Sequence, residues 1–184
     1  MTDHNTQAGA GELRVEWPQY YRLVEALALN IYESGYTFDS LLCLARGGLR
    51  VGDVISRIFE RPLGVLTVSS YREEGGRQRG ALRIASAISS IDGEPNGRVL
   101  LVDDLADSGT TLAAVVDHLR QRFGGIGELR TAVIWLKGSS RYRPDYFVSY
   151  LPDSPWIRQP FEVYDHLRPE QLAQRLGETG ANGR

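Results

Sequence analysis

The residues with the clearest chemical potential directly follow one short apolar run. Residues 99–102 are Val-Leu-Leu-Val, and the adjacent carboxylates Asp103 and Asp104 come next, with a third acid at Asp107. A Ser-Gly-Thr-Thr turn, residues 108–111, then opens a predicted helix. Backbone N–H groups and hydroxyls at a helix start favour phosphate, whereas carboxylates suit vicinal sugar hydroxyls or a hard metal ion. The pattern therefore predicts a site for a ribose 5-phosphate.

Two other interpretations fit parts of this segment. Ser108 could be a plain helix N-cap without a ligand, although three acids near one strand end repel one another and need compensation. A receiver domain also ends a strand in paired aspartates, but it needs a phospho-accepting Asp after a later strand. Here the predicted strand 129–136 is followed by Lys137, which disfavours a receiver. The sequence also has no Gly-rich nucleoside triphosphate motif, and its histidines lack the spacing of zinc ligands.

Strands and helices alternate along the chain. Short apolar runs predict strands, and apolar residues at helical spacing predict helices. The predicted strands cover residues 38–45, 63–71, 83–89, 98–104, 129–136 and 146–150, and the predicted helices cover 17–34, 49–60 and 110–122. This order favours an α/β fold with a mostly parallel sheet flanked by helices. Because ligands of such sheets bind beyond the carboxyl ends of the strands, the acids fall where a site is expected.

The composition is that of one globular domain. The 184 residues are 42% hydrophobic and 24% charged, and the formal net charge of -2 provides no basic field for nucleic acid. No apolar run approaches the roughly 20 residues that a membrane helix needs, and the first residues lack the pattern of a secretion signal. The single cysteine, Cys43, permits no intramolecular disulfide, which is typical of a reducing compartment. We therefore expect a cytoplasmic protein without a membrane or nucleic-acid partner.

Lysine is nearly absent from the chain. Of the 21 lysine and arginine residues, only Lys137 is a lysine. A compact ammonium and a planar guanidinium suit different sites, so Lys137 either meets a specific need or persists by chance. Composition alone leaves both interpretations open.

Residues 99–111 resemble the phosphoribosyl pyrophosphate (PRPP) binding motif of the type I phosphoribosyltransferases. In that motif a hydrophobic strand, two acids and three mixed residues precede a Gly-Thr turn. Three other segments resemble parts of the same family, in the same order. Residues 45–49 (Ala-Arg-Gly-Gly-Leu) resemble its pyrophosphate loop, and residues 69–83 its flexible loop. Residues 156–161 (Trp-Ile-Arg-Gln-Pro-Phe) resemble the base-binding hood of bacterial xanthine–guanine and related hypoxanthine phosphoribosyltransferases, so the resemblance covers most of residues 17–166.

The resemblance implies the type I phosphoribosyltransferase fold with a small C-terminal hood. The domain would cover residues 13–177 with the hood at about 150–166, between flexible termini at 1–12 and 178–184. The implied activity is purine salvage, in which the 5-phosphoribosyl group of PRPP passes to a 6-oxopurine with Mg²⁺ as cofactor. Proteins of this fold commonly pair, so a homodimer or homotetramer is also implied.

The resemblance also assigns residues to PRPP. Asp103 and Asp104 would meet the ribose hydroxyls, with Asp104 the better contact for Mg²⁺. The other implied contacts are Arg46 and Gly47 with pyrophosphate, Arg79 or alternatively Arg77 with pyrophosphate when the flexible loop closes, and Ser108, Gly109, Thr110 and Thr111 with the 5-phosphate.

Four residues are assigned to the purine. Asp107 would be the catalytic residue, which accepts a proton at N7. Lys137 would donate to the 6-oxygen, which disfavours adenine because its amino group is also a donor. Trp156 would stack on the ring, and the Ile157 backbone would contact the C2 side.

Two hood residues depart from the xanthine–guanine pattern. Arg158 and Phe161 stand where that pattern has an acidic residue and a second tryptophan. Because position 158 adjoins C2 of the purine in the implied pose, the choice among hypoxanthine, guanine and xanthine stays open. Residues 163–176 extend beyond the short bacterial enzyme with a helical leucine stripe, which favours packing or subunit contact over chemistry.

Two other functions would use the same PRPP site. A transferase for a pyrimidine or another base would keep residues 99–111, but the hood and Lys137 argue against it. A regulator that senses PRPP and binds RNA or DNA would need a basic face or an added binding segment, and the net charge of -2 argues against it. Asp107 also favours catalysis, because a sensor needs no base at N7.

Overall fold

The structure is a computed structural model that describes residues 11–72, 79–90 and 93–181. The remainder of the expected flexible termini, residues 1–10 and 182–184, lies outside the described residues. The chain divides into two compact units. The larger unit contains residues 21–154, and the smaller unit contains the described residues up to 20 together with those from 155 onward. Within these described parts, every helix falls short of the length and apolarity that a membrane span requires.

The described residues form the mixture of strands and helices that the sequence predicts. The elements of the described residues are β1 (Glu12–Arg14), α1 (Trp17–Glu33), β2 (Ser40–Ala45), α2 (Gly48–Phe59), β3 (Leu63–Arg72), β4 (Arg79–Ile84), β5 (Gly97–Val102), β6 (Leu105–Ala106), α3 (Thr110–Arg122), β7 (Ile126–Lys137), β8 (Tyr146–Leu151), β9 (Trp156–Arg158), α4 (Val163–His166) and α5 (Pro169–Ala181). The larger unit contains a sheet of order β4-β3-β2-β5-β7, in which β6 and β8 also pair with β7. Its described pairs are parallel except β3 with β4. The predicted mostly parallel α/β sheet is confirmed.

Helices cover both faces of the sheet because the inner strands are apolar on both sides. Successive side chains of a strand point to opposite faces. Leu42 and Leu44 of β2 belong to the same buried cluster as Leu112 of α3. On the other face, Cys43 packs against Gly52 of α2. The uninterrupted apolar sequence of β2 is therefore the pattern of a strand buried on both faces.

One predicted strand is displaced. The sequence predicts a strand over residues 83–89, whereas β4 covers Arg79–Ile84 and pairs antiparallel with β3. Beyond β4, Ser89 forms an isolated bridge with Val65. The bounds of β4 are set by its register against β3, which the apolar pattern alone did not reveal.

The C-terminal stretch forms two helices rather than one over residues 163–176. α4 is followed by an extended residue, Leu167, and α5 begins at Pro169. Proline disfavours the helical conformation just before it and is well tolerated in the first turn of a helix. α5 continues to Ala181, so it includes residues that the sequence had assigned to a flexible tail.

We expect Gly52→Ala to lower the free energy of unfolding by about 1–3 kcal/mol, the usual cost of overpacking a core. A Cβ at this position would lie 2.7 Å from the Cys43 Cβ and 3.2 Å from the Leu63 Cδ1. Urea denaturation measures the effect. Gly124→Ala is the matched control, because a Cβ there would meet nothing within 4 Å. Equal stability of the two variants would contradict the packing of α2 on β2.

Candidate active site

The acid pair lies in the gap between β5 and β6. Both strands pair in parallel with β7, and the backbone stays hydrogen-bonded to β7 across the gap. The Asp103 N–H donates to the Ala132 carbonyl at 3.1 Å, and the Asp104 carbonyl accepts from the Ile134 N–H at 3.0 Å. This pairing fixes both acids at the carboxyl end of a central strand, where ligands of such sheets bind.

The acid pair contacts the glycine pair that follows β2. A Cβ added to Gly47 would overlap the Asp104 carboxylate. A Cβ added to Gly48 would lie 2.6 Å from the Val102 carbonyl oxygen and 3.1 Å from the Asp103 Cα. Only glycine permits this approach of one backbone to the other. The predicted pyrophosphate loop and the predicted ribose-binding acids are therefore in direct contact.

The carboxyl of the half-buried Asp103 lies beside a second carboxyl. Its pKa is raised well above the usual range, first because burial removes water from the charged form and second because the charge of Asp104 repels it. Backbone N–H groups of Asp104, at 2.9 Å, and of Gly48 donate to this carboxyl and offset part of the cost. The strand end thus concentrates negative charge that a cation or hydroxyl donors would stabilise.

The turn after the acids begins α3. Gly109 occupies the N-cap position with a φ of 73°, a left-handed conformation that favours glycine. Ser108 Oγ donates to Thr110 Oγ1 at 3.1 Å and accepts from the Thr110 N–H at 3.4 Å. Ser108 is therefore not the plain N-cap that the sequence had left open. The turn offers hydroxyls and helix-start N–H groups, which are the donors that a phosphate binds.

Lys137 and Asp107 form an ion pair beside this turn. The Lys137 Nζ lies 3.2 Å from the Asp107 Oδ1. β7 carries Lys137 as its last residue, and Asp107 directly follows β6. The lysine is 6% exposed, whereas the Asp107 side chain is 55% exposed. The pair therefore presents a hydrogen-bond donor and an acceptor side by side, at a position that solvent reaches.

The smaller unit contains the remaining predicted purine-binding residues. β1 and β9 pair in parallel, with Leu13 opposite Ile157. Ile157 is buried, whereas Trp156 is 62% exposed. The Arg158 Nε lies 2.8 Å from Glu12 Oε1, so the guanidinium that departs from the family pattern is held by an acid of the N-terminal strand. An exposed indole next to a buried aliphatic side chain leaves a ring surface available for stacking.

Phe161, the second departure from the pattern, lies in an aromatic cluster of the smaller unit. Its ring centroid is 5.7 Å from that of Tyr20 in an edge-on arrangement and 6.3 Å from that of Trp17. Contacts of this kind stabilise a core beyond the area that they bury. Phe161 therefore has a packing role in this unit.

Comparison with known proteins assigns the family. The sequence model of the phosphoribosyl transferase domain matches residues 15–166, which include the acid pair, the turn and Lys137. The chain belongs to the phosphoribosyl transferase family. Xanthine-guanine phosphoribosyltransferase of Desulfotalea psychrophila is 30% identical over 152 residues, which cover 81% of this chain and 85% of the relative. The protein of the same name from Gluconobacter oxydans is 26% identical over 164 residues, which cover 89% of this chain and 92% of the relative.

Solved structures agree with this assignment. The purine phosphoribosyltransferase of Pyrococcus horikoshii superposes with a TM-score of 0.66 at 29% identity, over 82% of this chain and 93% of that chain. The xanthine-guanine-hypoxanthine phosphoribosyltransferase of Helicobacter pylori superposes with a TM-score of 0.69 at 23% identity, over 83% and 95% of the two chains, and supports the fold alone. The predicted type I phosphoribosyltransferase fold is confirmed.

Of the three arginines predicted to bind pyrophosphate in this phosphoribosyltransferase, two lie among the described residues. Arg46 follows β2, is exposed, and is joined to Ala45 by a cis peptide bond. Arg79 is the first residue of β4 and lies opposite Arg72 in the register with β3. The alternative, Arg77, lies outside the described residues. The assignment of these arginines to pyrophosphate stays a prediction.

β1 and its acid Glu12 were not predicted from the sequence of this phosphoribosyltransferase. Glu12 was expected to end a flexible N-terminus, whereas it pairs with Trp156 in the sheet register and holds Arg158. The available signal was the strict alternation of charged and apolar residues from Glu12 to Glu16, which is typical of a half-buried strand.

We expect Asp103→Asn to stabilise the ligand-free protein at neutral and higher pH. The pKa of Asp103 is raised in the folded state, so its contribution to stability is complete below the unfolded pKa and is lost as pH rises through the folded pKa. Asparagine stays neutral and keeps an acceptor oxygen, so the variant should show a flatter fall of stability with rising pH. Chemical denaturation at a series of pH values measures this.

The exposed Asp117 of α3 provides a matched control for that experiment. Asp117→Asn removes a carboxylate without touching the acid pair. If both variants flatten the pH dependence equally, the effect does not belong to Asp103.

Proposed function

We propose that this phosphoribosyltransferase transfers the 5-phosphoribosyl group of PRPP to a 6-oxopurine in purine salvage, giving a nucleoside monophosphate and pyrophosphate. The ion pair of Lys137 and Asp107, 3.2 Å apart beside the PRPP motif, carries the proposal. A 6-oxopurine with its proton on N7 presents an acceptor at O6 and a donor at N7 on one edge of its ring, and an adjacent ammonium and carboxylate match that edge. Three relatives that are 26% to 30% identical to this chain are named xanthine-guanine phosphoribosyltransferase, which supports the same substrate class.

Asp107 moves a proton in the proposed reaction. As purine N9 forms its bond to ribose C1, the bond between C1 and the pyrophosphate oxygen breaks, and its electrons leave with pyrophosphate. The proton on N7 passes to the Asp107 carboxylate, which acts as general base. The exposure of the Asp107 side chain supports this role, because a purine needs access to its oxygens.

Lys137 selects the base. Its ammonium donates to O6 of hypoxanthine, guanine or xanthine. Adenine has an amino donor at the same position, so two donors would face each other and one would stay unpaired. The burial of Lys137 supports this role, since an unpaired donor costs most where water cannot replace the missing partner.

The PRPP site extends along the carboxyl end of the sheet. The ribose hydroxyls bind to Asp103 and Asp104, which contact Gly47 and Gly48 of the pyrophosphate loop. The phosphates bind to Arg46, Gly47 and Arg79 at the pyrophosphate end and to Ser108, Gly109, Thr110 and Thr111 at the 5-phosphate end. The hydroxyls and the helix start in this turn support phosphate binding.

The acid pair fits an Mg²⁺ ion that arrives with its substrate. Among the described residues, no three His, Cys, Asp or Glu side chains cluster so as to hold a metal by themselves. Mg²⁺ is commonly bound by one or two carboxylates together with substrate phosphates. Asp104 would hold it, because its carboxylate lies against Gly47 of the pyrophosphate loop. When bound, the ion supplies positive charge to the leaving pyrophosphate.

Trp156 provides the stacking surface in this proposal. Trp156 stacks on the purine and the Ile157 backbone contacts its C2 side. The exposure of the Trp156 ring supports stacking. Glu12 holds the guanidinium of Arg158, the residue that adjoins C2 of the purine in the implied pose. Comparing the turnover of hypoxanthine, guanine and xanthine will show which C2 substituent the enzyme prefers.

We also propose that the protein is cytoplasmic and forms a homodimer or homotetramer. Burial raises the pKa of the Cys43 thiol to about 11, which leaves it unreactive and suits a reducing compartment. Leu172 and Leu176 of α5 are exposed, and an exposed apolar stripe favours subunit contact.

Purified protein with PRPP and Mg²⁺ should convert one or more of hypoxanthine, guanine and xanthine to nucleotide, with little use of adenine or uracil. Asp107→Asn should lower kcat by about 10²–10⁴-fold, the usual contribution of a general base, while PRPP binding measured by calorimetry persists. Tight PRPP binding without turnover of any base would contradict the transferase function and favour a regulator that senses PRPP. Preferred turnover of uracil would identify a transferase for another base.

Lys137→Met should lower kcat/KM for the preferred 6-oxopurine by about 10²-fold, as expected for loss of a hydrogen bond from a charged donor. The kcat/KM for adenine should fall little, so the ratio of kcat/KM for the 6-oxopurine to kcat/KM for adenine should decrease. Lys137→Arg keeps the charge but brings a planar fork into a buried position, and it should recover only part of the activity. An unchanged ratio in Lys137→Met would remove Lys137 from base selection.

A further inference from the structure

The loop after β7 joins two parts of the molecule that the proposed chemistry uses. Residues 138–142 follow Lys137 and contact residues 107–111, which are called the phosphate turn below. The Ser139 Oγ donates to the Asp107 carbonyl at 3.1 Å, and the Arg141 N–H donates to the Ser108 carbonyl at 3.0 Å. Two hydrogen bonds thus connect consecutive carbonyls of the phosphate turn to this loop.

The same loop is anchored to the end of β8. The Gly138 N–H donates to the Leu151 carbonyl at 2.8 Å, and the Ser139 N–H donates to Ser154 Oγ at 2.9 Å. Gly138 also contacts the Pro152 carbonyl so closely that a Cβ would overlap it. Ser139 therefore binds Ser154, three residues beyond β8, through its backbone and the Asp107 carbonyl through its hydroxyl.

A close approach at Gly109 fixes the separation between the two loops. A Cβ at Gly109 would lie 2.5 Å from both the Ser140 Oγ and the Tyr142 backbone nitrogen. Ser140 Oγ donates to the Tyr142 carbonyl at 2.7 Å, which closes the loop on itself. The phosphate turn therefore packs at Gly109 against residues 140–142, whose own conformation is fixed by the Ser140 hydrogen bond.

We propose that Ser139 is a positioning residue for Asp107. Both members of the Lys137–Asp107 ion pair are connected to Ser139: Lys137 lies two residues before it, and the Asp107 backbone accepts from its hydroxyl. The hydrogen bond holds the Asp107 peptide, and through it the direction of the carboxylate, relative to the Lys137 ammonium. This inference rests on the proposed role of Asp107 as the base at N7.

Ser139 contributes little to folding, because the residue is exposed and one exposed hydrogen bond has a small net value. The contribution of Ser139 to the rate of turnover is larger, because a misplacement of about 1 Å at a reacting group can lower the rate by as much as 10²-fold. The two effects can therefore be separated by experiment.

We expect Ser139→Ala to lower kcat with the preferred 6-oxopurine by about 10-fold, part of the range for misplaced groups. The Kd of PRPP and the thermal midpoint should stay close to those of the wild type. Ser139→Thr retains the hydroxyl and should restore most of kcat. Ser34→Ala is the matched control, because the exposed Ser34 also donates to a backbone carbonyl, that of Ile31 at 2.7 Å, but its hydroxyl lies against Tyr146 at the amino end of β8, away from the carboxyl ends of the strands.

A double-mutant cycle then tests whether Ser139 acts through Asp107. In the Asp107→Asn background, Ser139→Ala should leave the residual kcat nearly unchanged. A full 10-fold loss in that background, a failure of Ser139→Thr to recover activity, or a normal kcat in Ser139→Ala would each overturn the inference. Absence of wild-type turnover with every 6-oxopurine would instead overturn the proposed function, and this inference with it.

Discussion

The contact between the acid pair after β5 and the glycine pair after β2 is the constraint on which the rest of the site depends. Asp103 and Asp104 bring two like charges to one strand end, and burial makes the charge on Asp103 costly. The backbone N–H of Gly48 offsets part of this cost only because no side chain intervenes. Parallel pairing of β2 with β5 brings the two loops together, so the strand order and the electrostatics of the site are inseparable.

Glycine serves the same purpose at four positions along this edge of the sheet. Gly47 and Gly48 approach the acids, Gly109 approaches the loop after β7, and Gly138 approaches the end of β8. At each position a Cβ would collide with a carboxylate, a hydroxyl or backbone atoms. Loops that meet through backbone can present N–H groups and carbonyls to one another, and these are the groups that fix geometry without adding charge.

How far the sequence predicts this protein depends on how local each signal is. The predicted bounds of α3 agree with Thr110–Arg122 because the turn and the apolar spacing both lie within the segment. β1 has three residues and exists only through its pairing with β9, so a local pattern could suggest it but not establish it. Asp107 and Lys137 could be selected because their residue types carry chemistry. The Ser139 hydrogen bond joins residues 32 apart through two loops, and no local pattern encodes it.

The only lysine of the chain has a physical explanation in the ion pair. A buried cation needs a partner, and Asp107 supplies one to the 6%-exposed Lys137. An ammonium has three donors, so one can bind Asp107 while another meets a ligand acceptor. A guanidinium would spread its donors over a plane and demand several acceptors in fixed positions. A compact ammonium therefore suits the proposed function, in which a purine offers an acceptor at O6 to Lys137 and a proton at N7 to Asp107.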